Sequence, residues 1–163
     1  MGLVALARLI APGICDAMKV VVTGGAGFIG SALTLRLHQG GADVVVVDKL
    51  TYAANPHSLG ELTGSPRFEL INQDICDAGS MVKLFARIRP TYVYHLAAES
   101  HVDRSITGSQ AFLETNIMGT YSLLEAARGY WGGLPSVMKD TFRFLHVSTD
   151  EVYGSLGDRK SVV

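Results

Sequence analysis

Five short apolar runs along the chain have the composition of β-strands. They cover residues 20–22 (with Met18 just before them), 42–47, 67–73, 91–96 and 142–147. The first two are rich in valine, which is typical of strands buried on both faces of a parallel sheet. The third, over residues 67–73, alternates apolar and polar positions. The pattern therefore predicts five strands.

Stretches with apolar residues at helical spacing lie between these runs. The first helix carries Phe28, Ile29, Ala32, Leu33 and Leu37 and ends at Gly40-Gly41. A second follows the N-cap Asp77 and ends at Pro90, and a third covers roughly Gln110–Tyr130. Residues 49–65 are polar, with at most a short helix near residues 57–62. Because strands alternate with helices, we predict an α/β fold with right-handed crossovers and a parallel sheet.

A glycine-rich turn joins the first strand to the first helix. Gly24, Gly27 and Gly30 have the spacing G-x-x-G-x-x-G. Glycines in this context permit a tight turn and a close ligand, and the helix N-terminus offers free N–H groups to a pyrophosphate. A turn that merely closes a strand–helix corner is the alternative. The flanking strand and helix favour a dinucleotide site.

Asp48 stands at the tip of the second predicted strand. A carboxylate there accepts hydrogen bonds from both hydroxyls of an adenosine ribose and repels a 2′-phosphate, which favours NAD over NADP. The alternative interpretation is an aspartate that only caps the loop.

Polar residues also follow the fourth and fifth strands, at the edge where open α/β sheets bind ligands. Ala97 and Ala98 are small enough to let a cofactor lie close, whereas His101, Asp103 and Arg104 fit a solvated loop better than a substrate site. Residues 148–151 place a hydroxyl beside two carboxylates, a pair suited to acid–base chemistry, although an N-cap explains them equally well. Asn116, on an otherwise buried helix face, is either a structural brace or part of the site.

Composition narrows the class of protein. The 163 residues are 48% hydrophobic with a formal net charge of -1, which gives no reason to expect nucleic acid or an anionic membrane as a partner. Cys15 and Cys76 have neither metal-site nor disulfide spacing, so we expect no metal and a cytoplasmic location. No apolar run approaches the roughly 20 residues that span a bilayer. Residues 1–17 lack the strong basic region of a signal peptide and are expected to be an extension without function.

Six motifs carry a family resemblance. They are TGGAGFIG at Thr23–Gly30, VDKLTYA at Val47–Ala53, DICD at Asp74–Asp77, HLAAESHVDRSI at His95–Ile106, ETNIMGT at Glu114–Thr120 and STDEVYG at Ser148–Gly154. Residues from about Met18 to Ser155 thereby resemble the N-terminal part of the dTDP-glucose 4,6-dehydratases, a family of extended short-chain dehydrogenase/reductases. HLAAESHVDRSI and STDEVYG are the most restrictive of the six.

The resemblance implies a lyase that uses NAD and dTDP-glucose. NAD takes a hydride from C4 of the glucose unit, water leaves across C5–C6, and the hydride returns to C6. By motif position Asp150 protonates the leaving hydroxyl, Glu151 takes the C5 proton, Thr149 binds the C4 hydroxyl, and Ser100 lies beside substrate and cofactor. The residues implied to line NAD are Gly24, Gly27, Phe28, Ile29, Gly30, Asp48, Lys49, Leu50, Thr51, Asp74, Ile75, Leu96, Ala97, Ala98, Ser100 and Thr115.

The chain departs from the family after its last motif. The family continues to a Tyr-x-x-x-Lys pair, but Tyr153 has no lysine four positions on. Residues 158–163 fit nothing in the family and resemble a translated sequencing adapter. The resemblance therefore implies a Rossmann-like doubly wound parallel sheet in the order 3-2-1-4-5, truncated after about five strands. We expect an incomplete NAD-binding domain over residues 18–157, inactive alone, from a family whose full-length members form homodimers.

Two other functions stay open at this stage. One is a fragment of a related enzyme, a dehydratase or decarboxylase that acts on a UDP-sugar. The other is a non-catalytic NAD-binding module that is complete as it stands. The downstream coding sequence distinguishes them, because an in-frame Tyr-x-x-x-Lys identifies the enzyme.

Overall fold

The strands form one parallel sheet. The structure, a computed structural model, describes residues 18–99 and 109–149. The strands are β1 (Lys19–Thr23), β2 (Asp43–Asp48), β3 (Phe68–Asn72), β4 (Tyr92–His95) and β5 (Arg143–His146). They are arranged in the order β3-β2-β1-β4-β5, and every neighbouring pair is parallel. The predicted strands and their order are confirmed.

Helices connect the strands at nearly the predicted places. They are α1 (Phe28–Gln39), a 3-10 helix (Pro56–Leu62), α2 (Ala78–Ile88), α3 and the short α4 (Ser136–Lys139). Helix α3 has three consecutive segments: Ser109–Phe112, a π-helical stretch Leu113–Gly119, and Thr120–Gly132. The pattern predicted a single long helix here and gave no sign of the π-helical stretch.

The central valines divide the core between the two faces of the sheet. Val21, Val45, Val47 and Val93 pack with residues of α2 and α3, among them Met81, Phe85 and Leu123. Val20, Val22, Val44 and Val46 pack on the other face with Leu33 and Leu37 of α1 and Leu59 of the 3-10 helix. Because helices cover both faces, both sets of alternate side chains in the central strands are apolar.

Helix α1 buries a different set of residues from the one its apolar spacing suggests. Leu33 and Leu37 are buried, but Phe28 is 94% exposed and Ile29 and Ala32 are also exposed. The first turn of α1 follows the glycine-rich turn at the carboxyl end of β1, at the rim of the sheet. Two large apolar side chains are therefore exposed beside the predicted dinucleotide site.

Several sequence predictions lie outside the described residues. They concern the extension at 1–17, the loop with His101, Asp103 and Arg104, and the tail at 158–163. Within the described ranges, no helix is long and apolar enough to cross a membrane.

Candidate functional site: the carboxyl edge of the sheet

The ends of four strands meet at one edge of the sheet. Thr23 of β1 pairs in register with Val47 of β2 and with His95 of β4, and His95 pairs with His146 of β5. The segments that follow these residues therefore begin side by side. They contain the glycine-rich turn, Asp48, Ala97 and Ser148, as the predicted strand order requires.

Steric limits explain the glycines of the turn. Gly24 has φ of +69°, and a Cβ atom on it would lie 2.6 Å from the backbone nitrogen of Ala97. A Cβ on Gly30 would collide with the carbonyl oxygen of Gly24, and one on Gly27 would lie 3.3 Å from that oxygen. Gly25, which the spacing did not single out, would meet the methyl groups of Val46 at 2.7 Å. The turn is packed against β2 and against the segment after β4, with no room for a side chain.

The N-terminus of α1 has the character of an anion site. Its N-cap is Gly27, which has no side chain to accept a hydrogen bond, and its first turn carries no acidic residue. The first backbone N–H groups of a helix have no acceptor within the helix, and the helix dipole is positive at this end. Nothing within α1 itself neutralises this end.

Asp48 ties the glycine-rich turn to the tip of β2. Its Oδ2 accepts a hydrogen bond from the Ala26 amide at 3.0 Å, and its Oδ1 accepts one from the Leu50 amide at 2.8 Å. These contacts give Asp48 the loop-capping role that was the alternative interpretation. Each carboxylate oxygen has a second acceptor position, so the same side chain has acceptor capacity for a ribose hydroxyl. Leu50, the next residue but one, adopts a left-handed φ of +54°.

A charged pair lies at the tips of β2 and β3. Lys49 Nζ forms an ion pair with Asp74 Oδ2, and Asp74 Oδ1 accepts a hydrogen bond from the Cys76 amide at 2.9 Å. The hydrogen bond to Asp74 raises the pKa of Lys49. Burial works to raise the pKa of Asp74, but hydrogen bonds from Lys49 and Cys76 outweigh it, so that pKa is lowered. Burial and the neighbouring Asp74 raise the pKa of the Cys76 thiol to about 11, which leaves this thiol protonated and unreactive at neutral pH.

The π-helical stretch of α3 holds the segment after β4. Asn116 Oδ1 accepts a hydrogen bond from the Glu99 amide at 2.8 Å, and Asn116 Nδ2 donates one to the Glu99 carbonyl at 3.0 Å. Of the two interpretations of Asn116, these contacts support the structural brace. Gly119 lets α3 lie close to Ile75, because a Cβ on Gly119 would be only 2.7 Å from the Ile75 side chain.

A hydrogen bond joins the segments on either side of the glycine-rich turn. The hydroxyl of Tyr52, after β2, donates to Glu99 Oε2, after β4, at 3.2 Å. Since β1 lies between β2 and β4, this contact connects the two segments that flank the turn. The sequence alone did not indicate this pairing.

His95 was missed as a site residue. Its side chain is fully buried, its Nδ1 lies 2.7 Å from Thr23 Oγ1, and its Nε2 lies 2.9 Å from Thr120 Oγ1. Burial first, and then the neighbouring His146, lower the pKa of His95 to about 4, so the imidazole is neutral at physiological pH. The available signal was a histidine inside a strand that is otherwise expected to be buried.

The predicted site residues fall into two groups. The structure places at this edge Gly24, Gly27, Phe28, Ile29, Gly30, Asp48, Lys49, Leu50, Thr51, Asp74, Ile75, Leu96, Ala97, Ala98, Thr115 and Thr149. Thr149 is exposed just beyond β5. Ser100, Asp150 and Glu151 lie outside the described residues. The roles of all these residues toward NAD and the substrate stay predictions.

Comparison with known proteins gives close matches. The chain is 60% identical over 140 residues to dTDP-glucose 4,6-dehydratase 1 of Escherichia coli (strain K12). The alignment covers 85% of this chain and 39% of that relative. The chain thus spans about two fifths of the length of the curated relatives that it matches.

Solved structures share the fold. A double mutant of the dTDP-glucose 4,6-dehydratase from Streptomyces venezuelae, crystallised with NAD, superposes with a TM-score of 0.73 at 41% identity. That match covers 86% of this chain and 42% of the other. A UDP-glucose-4-epimerase from Stenotrophomonas maltophila, also with NAD bound, gives a TM-score of 0.72 at 30% identity, over 89% of this chain and 40% of the other.

A protein-family model provides the assignment. The model described as GDP-mannose 4,6 dehydratase matches residues 21–162, which is most of the chain. The matched range contains the glycine-rich turn, Asp48 and the segments after β4 and β5 described above. The chain therefore belongs to the GDP-mannose 4,6 dehydratase family.

Proposed function

We propose that this chain is the N-terminal, NAD-binding part of a dTDP-glucose 4,6-dehydratase, a lyase. The observation that carries the proposal is the pairing of the crowded glycine-rich turn with Asp48 at its rim. This chain is 60% identical to the Escherichia coli dehydratase but only 30% identical to the epimerase from Stenotrophomonas maltophila. The difference supports a dehydratase over an epimerase.

The residues at the edge fit each part of a dinucleotide. The pyrophosphate lies at the N-terminus of α1, where backbone N–H groups have no acceptor within the helix. Asp48 accepts hydrogen bonds from the adenosine ribose. The other residues proposed to line NAD are Asp74, Ile75, Leu96–Ala98 and Thr115. The small side chains of Ala97 and Ala98 leave room for a ligand.

Charge at Asp48 decides between the two dinucleotides. A 2′-phosphate would bring negative charge against a carboxylate that two backbone amides hold in place. The cofactor is therefore NAD. Lys49 follows Asp48 in the sequence and forms an ion pair with Asp74, so its positive charge is partly neutralised.

The chemistry belongs to the segment after β5. NAD, when bound, supplies the acceptor and donor of hydride for the sugar. Thr149 binds the C4 hydroxyl, Asp150 protonates the departing C6 hydroxyl, and Glu151 takes the proton from C5. A ketone at C4 acidifies that C5 proton, so a carboxylate is a sufficient base. Ser100 lies beside both ligands.

The partners of the whole protein follow from the same assignment. We propose dTDP-glucose as substrate, a cytoplasmic location and a homodimer. Exposed apolar side chains along one side of α3, at Leu113, Ile117, Tyr121 and Leu124, support a helix-mediated contact between copies.

The choice of dinucleotide tests the proposal. In the 163-residue chain, Asp48→Ala should narrow the preference for NAD over NADP, measured by calorimetric titration with each dinucleotide. Asp43→Ala, at the opposite end of β2, is the matched control and should leave the preference unchanged. A preference that survives Asp48→Ala would confine Asp48 to its loop-capping contacts, and a chain that binds neither dinucleotide would refute the assignment.

Turnover tests the enzymatic part. The 163 residues contain no Tyr-x-x-x-Lys. The resemblance implies that the tyrosine of this pair is the general base that takes the proton of the C4 hydroxyl, and such assistance is worth typically 10²–10⁴-fold. This chain should therefore not convert dTDP-glucose, whereas a chain extended to the length of its relatives should form the 4-keto-6-deoxy product, read by absorbance in alkali. Robust turnover by the 163-residue chain would contradict the mechanism.

A further inference from the structure

The segment after β4 is fixed to α3 at two points. At its start, His95 contacts the hydroxyl of Thr120 at 2.9 Å. At its end, the backbone of Glu99 makes two hydrogen bonds with Asn116. Both attachments are to the same helix, and the residues between them are those that line the proposed cofactor site.

Between the two attachments the segment lies directly against the glycine-rich turn, and we call the stretch from His95 to Glu99 the bow. A Cβ on Gly24 would lie 2.6 Å from the Ala97 nitrogen and 2.8 Å from the Leu96 carbonyl carbon. The Leu96 amide also donates a hydrogen bond to the Thr23 carbonyl at 3.0 Å.

His95 also connects this bow to β1. Its Nδ1 lies 2.7 Å from the hydroxyl of Thr23, the residue immediately before Gly24. A neutral imidazole has one donor and one acceptor, so the two threonine hydroxyls take complementary roles and both ring nitrogens are used. One side chain thus joins the root of the glycine-rich turn, the end of β4 and α3.

We propose that His95 is a positioning residue for the dinucleotide site: it holds the bow, and with it Leu96–Ala98, against the glycine-rich turn. The expected effect of His95 on NAD affinity rests on the proposed function, whereas its effect on the position of the bow does not. The depressed pKa of His95 supports it, because a doubly protonated ring would lose the acceptor that one threonine hydroxyl needs.

Amide hydrogen exchange without any ligand tests the geometry. The Leu96 amide donates to the Thr23 carbonyl, and the Glu99 amide donates to Asn116, so both report on the bow. In His95→Asn the shorter side chain keeps the position of Nδ1 and loses Thr120. These two amides should then exchange on the order of tenfold faster, as expected when one hydrogen bond is lost.

Two substitutions at Thr120 repeat the test without altering the histidine. Thr120→Val removes the hydroxyl at nearly constant shape and should accelerate exchange as His95→Asn does. Thr120→Ser keeps the hydroxyl and should restore wild-type exchange. Unchanged exchange in folded Thr120→Val would overturn the proposal even if His95→Asn fails to fold.

Affinity for NAD tests the consequence. His95→Asn and Thr120→Val should raise the Kd for NAD about tenfold. His38→Asn is the matched control, because His38 bonds to Ser65 at 2.8 Å near the far end of α1. His38→Asn should lower Tm but leave the Kd for NAD unchanged.

A Kd for NAD that stays constant in His95→Asn and Thr120→Val while amide exchange accelerates would refute the positioning role. If the wild-type chain binds no NAD, the proposed function fails while the exchange result still decides the geometry.

Discussion

An apolar run predicts both β2, with the sequence DVVVVD, and β5, with the sequence RFLH, but the two strands have very different surroundings. β2 lies between β1 and β3, and its four valines are buried with helices on both faces. β5 pairs only with β4 among the described residues, and Leu145 and Val147 beside it are 37% and 40% exposed. An apolar run therefore predicts a strand, but how deeply that strand is buried depends on its neighbours.

The same contrast applies to function. The half of the edge around β1 and β2 has its hydrogen bonds and packing in place, from Asp48 to the glycine-rich turn. The half around β5 contributes Thr149 alone from the proposed catalytic residues within the described range. Cofactor binding and catalysis can thus be tested separately.

The largest expected difference is in the stability effect of replacing a glycine, at the glycine-rich turn or at the end of α3. In Gly30→Ala the new Cβ collides with the Gly24 carbonyl, a backbone atom that cannot move cheaply, so we expect a loss of more than about 3 kcal/mol in stability and loss of NAD binding. Gly132→Ala, at the end of α3, meets nothing within 4 Å and should stabilise the chain by up to about 1 kcal/mol. Urea unfolding of both variants measures the contrast. Equal effects would mean that the turn relaxes freely.

Leucine truncation measures the packing difference. Leu37→Ala removes a side chain that is 1% exposed and should cost about 2–5 kcal/mol. Leu145→Ala on β5 should cost less than about 1 kcal/mol, because this side chain already contacts solvent. Chemical denaturation of both variants at one pH provides the comparison. A large loss for Leu145→Ala would show that β5 is covered in solution.

Histidine protonation gives an effect of intermediate size. The pKa of His95 is lowered to about 4 in the folded chain, from an ordinary value of 6.5, by burial and by His146 of β5. Between these two values the unfolded chain binds a proton that the folded chain does not, so stability falls as pH drops from 6.5 to 4. The loss in the free energy of unfolding amounts to about 3 kcal/mol once the pH is below 4.

The difference between wild type and His95→Asn isolates this contribution from the carboxylates. The advantage of the wild type should shrink steadily between pH 7 and pH 4.5 in urea unfolding series. Apart from His146, whose ring stacks on that of His95 with centroids 4.7 Å apart, the polar groups against the ring belong to Thr23 and Thr120 and do not titrate. A pH-independent difference would place His95 in solvent contact.

The smallest effect on stability is expected at the exposed strand. Leu145→Lys should change the free energy of unfolding by less than about 1 kcal/mol, yet reduce self-association seen by light scattering, since charge discourages edge-to-edge pairing. Lys19→Leu, at the exposed start of β1, is the converse control. It removes a charge from a strand that has neighbours on both sides, so the change in self-association should be smaller than the one that Leu145→Lys causes.

Local patterns predicted most of the fold and part of the site. The apolar runs and the glycine spacing predicted the strands and the turn, because each depends on residues close in sequence. The parallel arrangement followed from the alternation of strands with helices. The exposure of Phe28 was not predicted, since helical spacing alone does not show which turns of a helix extend beyond the edge of the sheet. His95 escaped notice because its partner Thr23 lies far away in sequence and is brought near only by strand pairing.

The π-helical stretch of α3 has an evolutionary consequence. One residue more or less turns the remainder of an α-helix by about 100°. Asn116 must reach Glu99 over the edge, while Leu123 further along the same helix packs in the core beside α2. Both demands are met only with the present number of residues between them. Among relatives we therefore expect alignments to carry no gap between the residues equivalent to Asn116 and Leu123.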